Sequence, residues 1–147
     1  MSGTCVFFGH RDASSALTVR LDQAIRRAVL DYGISRFQYG GNGTFDRMAA
    51  QAVVRAQSAF PHIRLELVHA YLPGKADQHA LPCDSSVYPE GLEYVPQRFA
   101  ISHRNRWMVQ HCDLVICFVE RSYGGASQAC RLAQRRGVPV INLAEER

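Results

Sequence analysis

The longest uninterrupted apolar run in the sequence extends from Leu114 to Val119. It is far shorter than the roughly 20 residues that a membrane helix needs. A continuous apolar run of this length is typical of a central parallel strand that is buried on both faces. Such a strand needs helices on both sides of its sheet, so the run favours an α/β protein.

Strand-like and helix-like segments alternate along the chain. β-rich runs predict five strands, at residues 4–8, 34–39, 65–72, 114–119 and 138–143. Apolar residues at helical spacing predict four helices, at residues 17–32, 45–60, 97–111 and 128–136. Gly33 is a predicted helix C-cap, and Pro139 indicates that the last strand lies near an edge. The alternation predicts a three-layer α/β sandwich with a mainly parallel, about five-stranded, doubly wound sheet.

Length and composition limit the class of protein. The 147 residues predict a single domain spanning residues 1–147, and 47% hydrophobic with 20% charged residues excludes a disordered tail. The N-terminus has no basic segment typical of a signal peptide. The five cysteines contain no C-x-x-C pair, which predicts a reduced cytoplasmic protein without a zinc site. Residues 74–92 have no clear period and are predicted to form a long functional or mobile loop.

The charge is mildly basic and carried by arginine. The net charge is +4 with a pI near 9.0, from sixteen arginines and the single lysine Lys75. Arginine offers a planar fork for phosphate or carboxylate, so an anionic small ligand is favoured, although genome composition explains such a bias equally well. No basic run exceeds two residues, which disfavours a nucleic-acid surface.

Glycine-rich turns follow three of the predicted strands. They are Gly9-His10-Arg11, Gly40-Gly41-Asn42-Gly43-Thr44-Phe45-Asp46 and Ser122-Tyr123-Gly124-Gly125-Ala126-Ser127. In an open parallel sheet, ligands bind at the carboxyl ends of the strands. Glycine lets the backbone approach an anion, and a following helix offers free N–H groups. Such turns also use glycine for geometry alone, but three of them together predict a phosphate- or nucleotide-binding crevice.

Polar residues in these turns have two interpretations each. Asp46 is either a helix N-terminal charge or a carboxylate that faces a ribose hydroxyl. Asn42 and Thr44 are turn and cap residues or ligand contacts. His10 is either a structural histidine or a side chain that reaches the crevice.

Arg104 shares a predicted apolar stripe with Ile101 and Met108. A charge on a buried face must be paired or point into a polar cavity. Arg104 therefore forms an internal salt bridge, with Asp113 or Asp46, or reaches the ligand.

Several familiar motifs are missing from the sequence. It has no H-E-x-x-H, G-x-S-x-G, Walker A or G-x-G-x-x-G motif. Metal binding, serine hydrolase and P-loop chemistry are therefore disfavoured, and no metal site is expected.

Four segments in order carry a family resemblance. They are Cys5-x-Phe7-x-Gly9-His10-Arg11, Gly40-Gly41-x-Gly43-x-x-Asp46, Arg104-Asn105-x-x-Met108-Val109-x-x-Cys112-Asp113 and Gly124-Gly125. Together they resemble the YpsA-like family of the SLOG superfamily over essentially the whole chain. The sequence departs from the family pattern at Phe8, Cys112 and Ala126, which stand where threonine, serine and threonine are expected. The change at Ala126 removes a hydroxyl that could bind phosphate.

The resemblance implies a Rossmann-like fold that binds a nucleotide or a nucleotide-derived ligand. Its superfamily includes the Lonely-Guy phosphoribohydrolases and the DNA-processing protein DprA. Arg104 matches an arginine of the phosphoribohydrolase pattern, but the expected glutamate falls at Gln128 or Ala129. Neither can stabilise the oxocarbenium charge of N-glycoside cleavage. Glu120 is the nearest substitute, while Asp46 would act from the adjacent turn.

We therefore expect a bacterial cytoplasmic protein that binds or senses such a ligand, with no assigned cofactor and no assigned catalytic residue. ADP-ribose or an NAD-like molecule fits the expected ligand class. N-glycoside hydrolysis of the Lonely-Guy type with a displaced acid is the first alternative, and single-stranded DNA binding as in DprA is the second. A homodimer is left open, and no membrane partner is expected. The predicted ligand-binding residues are Gly9, His10, Arg11, Gly40, Gly41, Asn42, Gly43, Asp46, Arg104, Gly124, Gly125 and Ser127.

Overall fold

The computed structural model describes residues 3–10, 13–72 and 81–144. Within them, the strands are β1 (Gly3–Gly9), β2 (Ile34–Tyr39), β3 (Arg64–Val68), β4 (Ser85–Val87), β5 (Leu114–Phe118) and β6 (Val140–Asn142). The α-helices are α1 (Thr18–Tyr32), α2 (Thr44–Ala56), α3 (Ala100–Gln110) and α4 (Gly125–Arg135). Short 3-10 helices lie at Ser15–Leu17, Leu92–Tyr94 and Gln97–Phe99.

The described strands form one parallel sheet in the order β4-β3-β2-β1-β5-β6. The chain moves outward from β1 to β4, then returns to the other side of β1 to add β5 and β6. The strand order therefore reverses between β1 and β5, which is where α/β sheets of this kind form a crevice. The expected three-layer Rossmann-like sandwich is confirmed, with six parallel strands instead of about five. The final strand lies at an edge, as Pro139 indicates.

Side chains of β1 alternate between two apolar cores. Cys5 and Phe7 join the core formed with α1 and α2, whereas Val6 and Phe8 join the core formed with α3 and α4. Successive side chains of a strand point to opposite faces, so one strand serves both layers. Each fully buried aromatic or aliphatic side chain contributes about 1.5–3 kcal/mol. This double burial holds the carboxyl end of β1 at the centre of the molecule.

Strand β4 lies within the segment 74–92, which the sequence predicts to be a long loop, so that prediction is wrong at this point. The strand has three residues, and its polar residues Ser85 and Ser86 give no hydrophobic alternation to recognise. Tertiary contacts hold it against β3: the Asp84 N–H donates to the Leu65 carbonyl at 2.8 Å. Residues 74–80 of the same segment lie outside the described residues.

Several predicted boundaries differ from the observed ones. Helix α4 begins at Gly125 instead of residue 128, because the glycine turn itself starts the helix. Helix α3 begins at Ala100, after a 3-10 turn, and α2 ends at Ala56 instead of residue 60. Strand β3 ends at Val68, where its short neighbour β4 offers no further partner. Gly33 caps α1 in the left-handed conformation at φ 67°, as predicted.

Among the described residues, no helix combines the length and apolarity that a bilayer-spanning segment requires.

Candidate functional site

A pocket of about 470 Å³ opens at the carboxyl ends of β1 and β5, where the strand order reverses. Its volume lies within the range of about 300–1,000 Å³ common for small-molecule sites. Parts of all three glycine-rich turns contribute to its wall, together with one face of α3. The predicted residues that line it are Gly9, His10, Asn42, Asp46, Arg104, Gly124 and Gly125.

Four predicted residues are described but do not line this pocket, namely Gly40, Gly41, Gly43 and Ser127. The Ser127 side chain is buried within α4, where its Oγ accepts a hydrogen bond from Arg131 Nη1 at 2.9 Å. The twelfth predicted residue, Arg11, lies outside the described residues.

The glycines outside the pocket have local structural roles. A Cβ on Gly40 would lie 2.4 Å from Arg104 Cζ, so the absence of a side chain makes room for the guanidinium. Gly41 has φ +80°, and a Cβ there would lie 2.6 Å from Leu81 Cδ1. Gly43 begins α2 at φ 97°. These positions shape the turn after β2 and do not contact the pocket.

Arg104 is 3% exposed and ties three parts of the chain together. Its Nη1 donates to the carbonyls of Gly40 and Val68 at 3.0 and 3.3 Å, and its Nη2 donates to Asn42 Oδ1 at 2.8 Å. Its Nε donates to Asn105 Oδ1 at 3.1 Å. Arg104 therefore fastens the ends of β2 and β3 to α3, and it also forms part of the pocket wall.

The salt bridge considered between Arg104 and Asp113 is not formed. Asp113 instead holds β1, because its Oδ2 accepts a hydrogen bond from the Thr4 N–H at 2.8 Å. The hydrogen bonds of Arg104 go to carbonyl and amide oxygens. Asp46 acts on Arg104 through charge: burial lowers the pKa of the guanidinium, and the Asp46 carboxylate raises it.

Asp46 lies in the first turn of α2 and is 6% exposed. Its Oδ2 accepts a hydrogen bond from the Asn42 N–H at 3.2 Å, which closes the turn before the helix. Burial raises the pKa of Asp46 to about 6, while Arg104 and the backbone N–H groups of Gly40 to Asn42 act in the opposite direction. The carboxyl group thus closes the turn at the helix start, and Asp46 also lines the pocket.

His10 is buried and acts as a hydrogen-bond acceptor for the turn after β5. Its Nε2 accepts the N–H groups of Glu120 and Arg121 at 2.9 and 3.3 Å. An imidazole nitrogen that accepts two N–H groups carries no proton, which fixes the tautomer. His10 is therefore a structural histidine that also lines the pocket.

The start of α4 is open toward the pocket. Gly124 is the N-cap of α4 at φ 98°. Because glycine has no side chain, the N-cap residue accepts no hydrogen bond from the N–H groups of the first turn through a side chain. Gly124, Gly125 and Ala126 all line the pocket. Free N–H groups and the positive end of the helix dipole favour an anion at such a position.

Sequence reasoning missed several pocket residues as candidates, among them Asn105, Tyr123 and Ala126. Asn105 follows Arg104 directly and was visible as part of the same motif. Tyr123 is 68% exposed beside Gly124, and an aromatic ring in a glycine-rich turn is the signal that could have identified it. Ala126 stands out in the sequence only as a departure from the family pattern.

The described residues contain no group of three or more His, Cys, Asp or Glu side chains arranged to hold a metal ion. The pocket offers polar side chains from Asp46, Asn42 and Asn105, together with a helix start that no side chain caps.

The fold and the pocket define a Rossmann-like α/β domain with a small-molecule-sized pocket at its topological switch point. Solved structures with this fold include DNA processing protein A (DprA) from Streptococcus pneumoniae, with a TM-score of 0.67 and 19% identity. That match covers 94% of this chain and 49% of the pneumococcal one, so this chain spans about half the length of that DprA.

Two further structures share the fold. DprA from Helicobacter pylori, described for its single-stranded DNA binding mode, matches with a TM-score of 0.62 and 18% identity, covering 93% of this chain and 63% of that chain. The Moco carrier protein from Chlamydomonas reinhardtii matches with a TM-score of 0.58 and 14% identity. The match covers 98% of this chain and 77% of that chain. No protein-family model matches the sequence, and no curated protein matches it. These matches, at 14% to 19% identity, show a shared fold, and the SLOG and YpsA-like assignments stay predictions.

Proposed function

We propose that this domain binds a nucleotide or a nucleotide-derived ligand in the pocket between β1 and β5, and that its role is binding or sensing. The observation that carries the proposal is the meeting of two features in one pocket. One is the open start of α4 at Gly124, and the other is the buried polar pair Asp46 and Arg104. The first suits a phosphate, and the second suits the hydroxyl groups of a sugar.

The phosphate would bind at the start of α4. The N–H groups of Gly125 and Ala126 have no acceptor among the described residues. Gly125 is exposed and Ala126 is partly exposed, so the backbone at the start of α4 is accessible. Backbone donors at a helix start bind phosphate without a side-chain hydroxyl, which explains how Ala126 can replace the threonine of the family pattern.

The rest of the ligand would extend from α4 toward β1 and α2. Asp46, Asn42 and Asn105 supply acceptors and donors of the kind that ribose hydroxyls need. Tyr123 stands exposed at the pocket mouth, where its ring can stack on a base. Stacking on an aromatic side chain contributes about 1–3 kcal/mol per base.

The variant Ala126→Glu tests the proposal. The dipole of α4 favours a carboxylate in the first turn, but the same charge repels a phosphate in the pocket. Because Ala126 packs against the core, urea unfolding is used to confirm that the variant is folded. We expect AMP, ADP, ADP-ribose or NAD to bind the wild-type protein in isothermal titration calorimetry, with binding lost in Ala126→Glu. The control is Gln134→Glu, which adds the same charge to the exposed last turn of α4, away from the pocket. Absence of binding for the whole panel, or equal binding to both variants, would overturn the proposal.

N-glycoside hydrolysis is the second candidate, and the observation that favours it is Asp46. This residue is the carboxylate among the described residues that line the pocket, and a carboxylate can stabilise an oxocarbenium ion. Binding ranks first because Asp46 Oδ2 already accepts the Asn42 N–H. Gln128 and Ala129, at the position of the family glutamate, do not line this pocket. Release of free adenine from AMP, followed chromatographically, distinguishes the two functions.

A further inference from the structure

A second cavity, of about 450 Å³, lies between α3 and α4. Its walls are one face of each helix, because the lining residues recur at intervals of three or four. Ser102 and Arg106 line it from α3, and Gln128, Leu132 and Arg135 line it from α4. We call this cavity the arginine groove.

The arginine groove concentrates positive charge. Arg98, Arg106 and Arg135 line it, and no Asp or Glu is among the described residues that do. The Arg98 guanidinium lies 4.9 Å from the centre of the Phe99 ring. The side chains of Arg106 and Arg135 form no hydrogen bond or ion pair with any described residue. Three cations around one concave surface repel each other, and an anion between them would relieve that repulsion.

The arginine groove borders the first pocket. Ile101, Asn105 and Gly125 line both cavities. Gly125 stands between them at the start of α4, where the proposed function places a phosphate. A second phosphate joined to the first would leave the pocket over Gly125 and enter the groove.

We propose that the arginine groove binds the outer part of a phosphate chain, so that the ligand is a nucleotide with at least two linked phosphates. This inference rests on the proposed function. A nucleoside diphosphate and a diphosphate-linked dinucleotide share this chemistry. The buried side chains of His10 and Asp46 line the first pocket but not the arginine groove, so they would contact the nucleoside part of such a ligand.

Titration calorimetry with AMP, ADP and ADP-ribose tests the inference. We expect ADP to bind the wild-type protein at least about tenfold more tightly than AMP. In Arg106→Glu and Arg135→Glu, the affinity for ADP falls about tenfold or more, and the affinity for AMP falls less than about threefold. A stronger effect on ADP-ribose than on ADP would identify the diphosphate-linked dinucleotide as the better ligand.

Arg136→Glu is the matched control. It reverses an exposed arginine at the same helix end, next to Arg135 but outside the arginine groove. Both reversals oppose the helix dipole equally, so an effect on ADP confined to Arg135→Glu belongs to the groove. The affinity for ADP should also weaken more steeply with salt than the affinity for AMP, because more charge is neutralised.

The outcomes separate this inference from the proposed function. If AMP binds but ADP binds no better, or if the reversals weaken both equally, the arginine groove does not take a phosphate and only this inference fails. If none of the three binds, the proposed function fails as well. If ADP and AMP bind equally while Arg106→Glu and Arg135→Glu abolish binding of a single-stranded oligonucleotide, the groove serves a polynucleotide instead.

Discussion

The substitution Asp46→Asn removes a buried charge and keeps the shape of the side chain. Burial raises the pKa of Asp46 from its ordinary value of 3.8 to about 6. Since each pKa unit between the folded and unfolded states corresponds to about 1.4 kcal/mol, the ionised carboxylate lowers the free energy of unfolding by about 3 kcal/mol. Asparagine is neutral, like the protonated acid, so Asp46→Asn removes this decrease in the free energy of unfolding.

The sign of the pH dependence follows from the raised pKa. Between about pH 4 and pH 6 the folded state binds more protons at Asp46 than the unfolded state does. The stability of the wild-type protein therefore falls as the pH rises through this window, and the loss is complete above about pH 7. Asp46→Asn should match the wild type near pH 4 and exceed it by about 3 kcal/mol at pH 8.

Urea unfolding at pH 4, 5, 6, 7 and 8 measures the pH dependence of the wild-type stability and the gain in stability of Asp46→Asn. Asp22→Asn is the control, because Asp22 is an exposed carboxylate on α1 that pairs with Arg55 at 2.9 Å. An exposed pair contributes at most about 1 kcal/mol, so this variant should follow the wild-type pH profile. Parallel profiles for wild type and Asp46→Asn, or a less stable Asp46→Asn at pH 8, would refute the reasoning.

Three further predictions concern the same region. Arg104→Ala should lower the free energy of unfolding in urea by about 3–5 kcal/mol, because it leaves several buried acceptors and Asp46 without their cation; a loss under 1 kcal/mol would contradict this role. Gly9→Ala should cost about 1–3 kcal/mol in the same assay, because its Cβ would lie 2.2 Å from Phe45 Cγ, and it should cost less in a Phe45→Ala background, which lacks that Cγ. AMP should release no adenine at ordinary enzymatic rates by chromatography, since a missing charge-stabilising group commonly costs about 10²–10³ in rate; adenine release that disappears in Asp46→Asn would favour hydrolysis.

Local pattern was sufficient to predict most of the sheet. The apolar run at Leu114 and the β-rich run at Thr4 became β5 and β1, because strands buried on both faces need continuous apolar sequence. The edge strand β4 could not be predicted, because its residues Ser85 to Val87 carry no periodic signal. Hydrogen bonds from β3 hold it, and those partners are distant in sequence.

The turns of the candidate site could be predicted, because chain order places strand ends along one edge of a parallel sheet. The role of each residue within these turns could not be predicted from the sequence. Gly41 and Ser127 belong to the same glycine-rich turns as pocket residues, yet Gly41 packs near Leu81, and Ser127 binds Arg131 within α4. The direction of a side chain depends on the packing around it, which sequence spacing does not specify.

The sequence by itself determined the class of fold, the edge of the sheet where the pocket lies and the glycine-rich turn that precedes the last helix. These features follow from hydrophobic periodicity and from the conformational freedom of glycine, which are local properties of the chain. The tertiary structure alone decided that Arg104 binds the carbonyls of Gly40 and Val68, and that burial brings the pKa of Asp46 to about 6. Both depend on groups tens of residues apart that meet in a low-dielectric interior, where distance and burial set the strength of each interaction.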